Sequence, residues 1–435
     1  MPDRREFLKQ AALTGAALST GPFASRVLGA NERVVAGFIG VGGMGKANLR
    51  DFLRAGVDVA AVCDVFEPNL YQAVEMTDNR AKPYKDFRQV LDQKDVDVVV
   101  VATPDHWHAI PMIQACAAGK DVYVEKPLAL TVHEGRRMVE AARRHDRVVQ
   151  VGTQQRSGAH FQKAVEIVRS GALGDVRFVR VWRYGAGLPV PEGMGPASDT
   201  TPPPGLDWDM WLGPAPKVPY NRNRFLGNFR WFWDYSGGEL TDWGTHLMDV
   251  VHWGMGVDAP LTAYAVGGKH YMQDNRETPD NLEVVYEYPG FTCTFSHRVL
   301  NRTIDGKAYG IQFEGTRGVL FVDRGGYEFR PDPERVGGET VPSSRPAVKG
   351  ETSAQHFPHV QNFLECVKSR QRPNSDVEIA HRSTSACHLG NVALRSSQKI
   401  SWDAKTERIT DVAAANAYLR KEYRKPWSLD EGRAT

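Results

Sequence analysis

The chain has 435 residues, with 54 Lys and Arg against 52 Asp and Glu and a formal net charge of +2. That balance excludes association with nucleic acid or an anionic membrane through bulk charge, and the length suits two domains with cores of their own. Five cysteines, Cys63, Cys116, Cys293, Cys366 and Cys387, are scattered, odd in number and without a CxxC pair. They predict small buried residues, not a disulfide framework or a zinc site.

Residues 1–30 come first. Asp3-Arg4-Arg5-Glu6-Phe7-Leu8-Lys9 precedes a weakly apolar run, Ala11 to Leu18, and Leu28-Gly29-Ala30 offers small residues for cleavage. The run is too short for a bilayer of roughly 30 Å, which needs about 20 apolar residues. The segment resembles a twin-arginine (Tat) export signal, so it is set apart from the fold. It implies passage through the Tat translocase to the periplasm or beyond, with no stable membrane anchor.

From 31 to 155 strands and helices alternate. An apolar strand, Val34 to Ile39, runs into Gly40-Val41-Gly42-Gly43-Met44-Gly45 and then a helix from Lys46 to Leu53. In this strand, G-x-G-x-x-G, helix order the first glycine allows the turn, the second admits a pyrophosphate, and the third lets helix and strand pack. The helix N-terminus offers unpaired N–H groups to the phosphates. A second strand, Val57 to Cys63, ends in Asp64, nineteen residues past Gly45. An acid there holds an adenosine ribose and repels a 2′-phosphate, so NAD is expected over NADP. Tat carries folded proteins and free NAD is scarce outside the cytosol, so the cofactor is expected to be loaded early and held tightly.

Helices near 67–80 and 86–92, a buried strand at 96–102, a helix at 107–118, a strand at 121–124, a helix at 131–145 and a strand at 148–151 complete a doubly wound parallel sheet. Past a helix at 158–170, period-two alternation from Val176 to Trp182 announces a sheet with one exposed face. The fold expected is α/β: an N-terminal Rossmann domain over 31–155, then an α+β substrate and oligomerisation domain over 156–415 with a large, open, mostly antiparallel sheet. Its strands are read near 262–268, 282–288, 291–297, 309–315, 318–323 and 399–403, with helices at 355–369 and 378–396. Residues 186–219 carry nine prolines and read as a lid, dimer arm or wrapping loop. The aromatic tail 416–435 is expected to pack back on the body.

Three motifs fall at the C-terminal ends of parallel strands, where such folds bind ligands: Thr103-Pro104-Asp105-His106-Trp107-His108, Glu125-Lys126-Pro127 and Gly152-Thr153-Gln154-Gln155-Arg156. Further on, Gly237-Gly238-Glu239-Leu240-Thr241-Asp242-Trp243-Gly244-Thr245-His246 places an acid and an imidazole at i and i+4, on one face of a helix. With the glycine fingerprint, these motifs resemble the glucose–fructose oxidoreductase, inositol dehydrogenase and rhizopine-catabolism (Gfo/Idh/MocA) family over essentially the whole mature chain. The resemblance implies that Lys126 lies beside nicotinamide and substrate, and that Asp242 and His246 are the acid and histidine of the substrate domain. It also implies a homo-oligomer built on the open sheet.

Oxidising a secondary alcohol needs a base for the hydroxyl proton. His246, with an ordinary pKa of about 6.5, suits that role. Asp242 would orient it or bind a sugar hydroxyl, and Lys126 would polarise the reacting oxygen. Blander readings are a Lys126–Glu125 surface pair, and Asp242 and His246 as a helix cap and a core histidine. Thr103, Pro104, His106, His108 and Glu125 are expected around the nicotinamide, though the two histidines equally suit a helix start. Their i, i+2 spacing does not place both on one helix face, and no metal is expected. Six of the ten tryptophans lie between 208 and 253 and suit either sugar stacking or core packing. Arg222, Arg224 and Arg230 read as a solvated face before an acidic-sugar site. The function expected is an exported NAD-dependent oxidoreductase of a sugar, glycoside or polyol. The alternative is redox-neutral glycoside cleavage through oxidation, elimination and re-reduction.

Overall fold

A computed structural model describes residues 33–185, 187–300 and 303–431. The twin-arginine segment lies outside them. Six parallel strands, β1 (Val35–Ile39), β2 (Asp58–Cys63), β3 (Lys82–Tyr84), β4 (Val98–Val101), β5 (Asp121–Val124) and β6 (Val149–Val151), form one sheet in the order β3-β2-β1-β4-β5-β6. The four valines of β4 are all fully buried. β-Branched side chains pack well on a pleated surface, and a run of them suits a strand covered on both faces. The crossovers are α1 (Gly43–Arg54), α2 (Glu67–Met76), α3 (Phe87–Leu91), α4 (Ala109–Ala117) and α5 (Val132–Arg144). Strand order reverses between β1 and β4, which opens a crevice at their C-terminal ends.

The second sheet joins β7 (Val176–Tyr184), β8 (Thr262–Gly268), β9 (Asn281–Tyr288), β10 (Phe291–Arg298), β11 (Tyr309–Gly315), β12 (Gly318–Asp323) and β13 (Gly326–Pro331). A side hairpin, β14 (Glu334–Val336) with β15 (Glu339–Val341), precedes β16 (Val348–Glu351), β17 (Ile400–Asp403) and β18 (Arg408–Ile409). The ten strands run β16-β13-β12-β11-β7-β10-β9-β8-β17-β18, antiparallel except where β7 meets β10. One face packs residues such as Val284, Tyr286, Phe295 and Phe313 against helices α6 (Ala159–Arg169), α8 (Glu239–Met255) and α10 (Val377–Ser396). The alternation continues outward, where Tyr264, Val266 and Val285 are exposed.

Three features differ from the sequence reading. Helix α9 (His356–Ser369), grouped with the second domain, packs on the first: Val360, Phe363 and Cys366 join its core, with Phe363 against Phe52 and Tyr123. Strands β3, β13 and β16 carry too short an apolar pattern to stand out. The proline-rich excursion extends past 219, through α7 (Trp208–Leu212) and 3₁₀ turns at Arg222–Arg224 and Leu226–Trp231, and closes on its own core of Trp211, Tyr220, Phe225, Phe229, Trp231, Phe232 and Tyr235. Packing in this core thus accounts for Trp208, Trp211 and Trp231, half of that tryptophan cluster. The five cysteines are free and buried. Among the described residues no helix is long and apolar enough to cross a membrane, and no group of three or more His, Cys, Asp or Glu is placed to hold a metal ion.

Candidate active site

A cleft of about 520 Å³ opens where β1 and β4 diverge, between the first sheet, the excursion and α8. Gly40, Gly42, Gly43 and Met44 form its floor. Gly40 has φ +82°, and a Cβ there would lie 2.7 Å from the Thr103 nitrogen. A Cβ on Gly45 would come within 2.1 Å of the Gly40 carbonyl, so glycine is needed for α1 to pack on β1. Gly43, by contrast, has open space beside it, and Gly42 meets only the Asn69 amide at 3.9 Å. No side chain caps α1 at Gly42, which leaves its first N–H groups directed at the cleft floor. Room for a close approach and uncapped donors together suit a pyrophosphate.

Asp64 follows β2 on the same floor. Its Oδ2 accepts from Val41 N and its Oδ1 from Phe66 N, each at 2.9 Å. Burial pushes its carboxyl up to about 6, against the pull of those N–H donors and Lys46.

The excursion forms the roof. Phe66 and Leu206 pair as a short bridge, Glu67 N donates to Gly205 O at 2.9 Å, and Asp207 N donates to Val65 O at 2.9 Å. Met210, Trp211, Phe225 and Phe229 thereby line the same cleft as the glycine turn. The tail fastens this roof. Arg424 donates to Gly213 O at 2.9 Å and to the Asp209 carboxylate at 2.7 Å, while Trp427 packs edge-on to Trp107 with ring centres 4.7 Å apart.

At the other end, Lys126 emerges from β5 and meets α8. Its Nζ donates to Asp242 Oδ1 at 2.6 Å and to the Asp242 carbonyl at 3.0 Å. Arg230 Nε lies 3.1 Å from the same carboxylate oxygen. Burial alone would raise the Asp242 carboxyl, but Lys126 and Arg230 overcome it and hold the group ionised far below the usual carboxylate range. One turn on, His246 lines the cleft with Nδ1 enclosed and unpartnered. Burial, with the charges of Lys126 and Arg324, holds its imidazole neutral well below the ordinary value. Glu125 is fixed by Asn48 Nδ2 at 2.9 Å and Gln154 Nε2 at 3.1 Å, and burial raises its carboxyl.

The cleft thus gathers Gly40, Gly42, Gly43, Met44, Asp64, Thr103, Pro104, Glu125, Lys126, Asp242 and His246. Val41 and Gly45 support the turn from behind, Val41 through its N–H to Asp64. The expectation for His106 and His108 is corrected, since neither lines the cleft. His106 Nε2 donates to the Trp211 carbonyl at 2.9 Å, and burial pushes its ring down to about 3. The His108 nitrogens lie 2.7 Å from the Pro127 carbonyl and 2.9 Å from the Thr103 carbonyl. Both rings tie loops together. The Lys126–Glu125 surface pair is likewise replaced by the buried contact to Asp242. Sequence reasoning missed Arg324 and His356, which reach the cleft from the end of β12 and from α9, while Trp243, one of the tryptophans suited to sugar stacking, lines it from α8. Arg230, read as part of a solvated face, lines it too and pairs with Asp242. No motif marks Arg324, which precedes an ordinary Gly-Gly turn.

Residues 34–153 match the model of the Gfo/Idh/MocA oxidoreductase family's NAD-binding Rossmann fold, and 190–294 with 340–429 match that of its C-terminal alpha/beta domain. The chain belongs to the Gfo/Idh/MocA family. This member is 34% identical over 160 residues to inositol 2-dehydrogenase of Salmonella typhimurium (strain LT2), a match covering 36% of this chain and 47% of the relative. It is also 34% identical over 154 residues to glycosyl hydrolase family 109 protein 1 of Shewanella sp. (strain MR-4), covering 33% of this chain and 34% of that one. The match therefore spans less than half the length of either relative. Among solved folds, the WlbA dehydrogenase of Bordetella pertussis, in complex with NADH and UDP-GlcNAcA, superposes with a TM-score of 0.63 at 19% identity over 85% of this chain and 99% of that one. That likeness concerns the fold.

Proposed function

We propose that this family member is an exported oxidoreductase that keeps NAD bound and moves hydride to or from a secondary hydroxyl of a sugar, glycoside or polyol. The observation that carries the reading is one cleft with a dinucleotide floor at one end and the Lys126, Asp242 and His246 cluster at the other. A bound nicotinamide supplies the hydride acceptor or donor. Asp64 accepts ribose hydroxyls, and its acid favours NAD over NADP. Lys126 uses two of its three N–H bonds on Asp242, and the third turns to the substrate oxygen. Asp242 holds that ammonium in place. Neutral His246 accepts the hydroxyl proton as the alcohol is oxidised and returns it in the reverse direction. The roof excludes water and slows nucleotide loss, which suits a protein loaded in the cytosol, carried by Tat and working in the periplasm. The apolar outer face of β8 and β9 suits a second copy of the chain.

The Shewanella relative favours a second reading with the same residues, redox-neutral glycoside cleavage. One experiment separates the two. Mature protein is purified from the periplasm and denatured to identify released nucleotide, and the native form is incubated with a glycoside panel without added acceptor. Stoichiometric NAD(H) with reduction of the cofactor by sugars supports oxidoreduction, and aglycone release supports cleavage. Protein without nucleotide, or found only in the cytosol, overturns the retained-cofactor reading.

A further inference from the structure

Away from the glycine turn the cleft is lined by Arg230, Asp242, Trp243, His246, Arg324 and His356. The single carboxylate of this group, Asp242, already answers two cations, Lys126 and Arg230. Arg324 is left over. Its guanidinium lies 4.7 Å from the centre of the Trp243 ring, as does that of Arg183. The two arginines on this ring differ in one respect. The buried Nε of each has no hydrogen-bond partner, but Arg183 has Glu239 at 3.2 Å, whereas among the described residues no carboxylate lies within ion-pair distance of Arg324.

A partly desolvated guanidinium without a counter-charge is costly to keep, and the planar fork suits two oxygens of one anion. The position is also set for a ligand, because Arg324 and the Trp243 ring on which its guanidinium rests both line the cleft. We propose that Arg324 anchors an anionic substituent, a carboxylate or phosphate, on the carbohydrate that occupies the cleft. Its charge contributes, after burial, to holding both His246 and His356 below the ordinary histidine value, so the wall is electropositive without either imidazole being charged. The inference rests on the carbohydrate reading above and narrows it to acidic sugars or sugar phosphates.

The test uses the full-length protein as purified, titrated calorimetrically with sugars that share a ring and differ at the terminal carbon: D-glucose, D-glucuronate and D-glucose 6-phosphate, with D-galactose and D-galacturonate as a second pair. At least one anionic probe is expected to bind ten times more tightly than its neutral partner, and which one does so tells carboxylate from phosphate. Arg324→Gln is expected to abolish that preference. Arg324→Lys, which keeps the charge and loses the fork, is expected to retain part of it and guards against a folding artefact. Equal binding of charged and neutral probes, or a preference that survives Arg324→Gln, overturns the anchor while nucleotide in the purified protein leaves the oxidoreductase reading standing. Protein that carries no nucleotide and binds no probe overturns both.

Discussion

Lys126, at the end of a Rossmann strand, and Asp242, in the first turn of the long helix of the second domain, are joined twice, through carboxylate and carbonyl. The pair links the two halves of the molecule at the end of the cleft where hydride transfer is proposed. Lys126→Ala should lower kcat/KM by about 10²-fold or more, in the range for loss of a positioned polar group. The NAD dissociation constant, measured by fluorescence titration, should move only a few-fold, because the dinucleotide floor is untouched. A parallel loss of NAD affinity would place Lys126 in cofactor binding.

His246 is held neutral well below the ordinary histidine value by burial and by Lys126 and Arg324. A base must be neutral to accept a proton, so the active form persists as pH falls through 6.5. The kcat/KM profile of the nucleotide-loaded protein should therefore be flat from neutral pH down past 6.5. His246→Ala should cost about 10²–10⁴-fold in kcat. An acid limb near pH 6.5 that vanishes in His246→Ala would contradict the burial argument.

Asp64 behaves oppositely. Its carboxyl is raised to about 6, so it is ionised above that pH and protonated below it. In the proposed role, ribose hydroxyls would donate to the ionised form. NAD affinity for nucleotide-stripped protein should be constant above about pH 7 and weaken by up to about tenfold per pH unit below 6. Asp64→Asn should remove that dependence. An affinity independent of pH in the unaltered protein would remove Asp64 from the ribose.

Arg156 and Asp249 form an ion pair with side chains 7% and 0% exposed, joined at 2.7 and 2.9 Å, with Ser383 Oγ donating to Asp249 at 3.0 Å. Breaking such a pair leaves a buried charge. Asp249→Ala should destabilise by about 3–5 kcal/mol in urea unfolding, whereas Arg156→Met with Asp249→Leu should recover much of it. Recovery would show that the pair itself is not the source of stability.

Ending the chain after Arg420 removes the Arg424 bonds to Asp209 and Gly213 and the Trp427 packing on Trp107. Nucleotide release, followed after dilution into apo-protein as trap, should quicken by tenfold or more. An unchanged rate would mean that the excursion holds its place without the tail.

The first sheet was legible because buried parallel strands are runs of Val and Ala between turn residues, and its glycine turn, Asp64 and Lys126 fall at strand ends where topology demands a site. The Asp242 and His246 spacing was legible because helix geometry repeats locally. His106 and His108 were misjudged because nothing local shows that Trp211, more than a hundred residues on, brings its carbonyl to His106. Arg324 was invisible for the converse reason: what sets it apart is that no carboxylate among the described residues lies within ion-pair distance of it, which no local pattern reveals. Helix α9 carries an amphipathic stripe that says it must pack, but not on which of two sheets.

The clasp on the roof also has an order in time. Residues 421–427 leave the ribosome after β1 to β6 and the glycine turn, which are made some 270 residues earlier. Domains fold as they emerge, so the first domain, once α9 has joined its core, stands without its clasp until residues 421–427 follow. The order of synthesis therefore separates the making of the glycine turn from the making of the contacts that tie the excursion down.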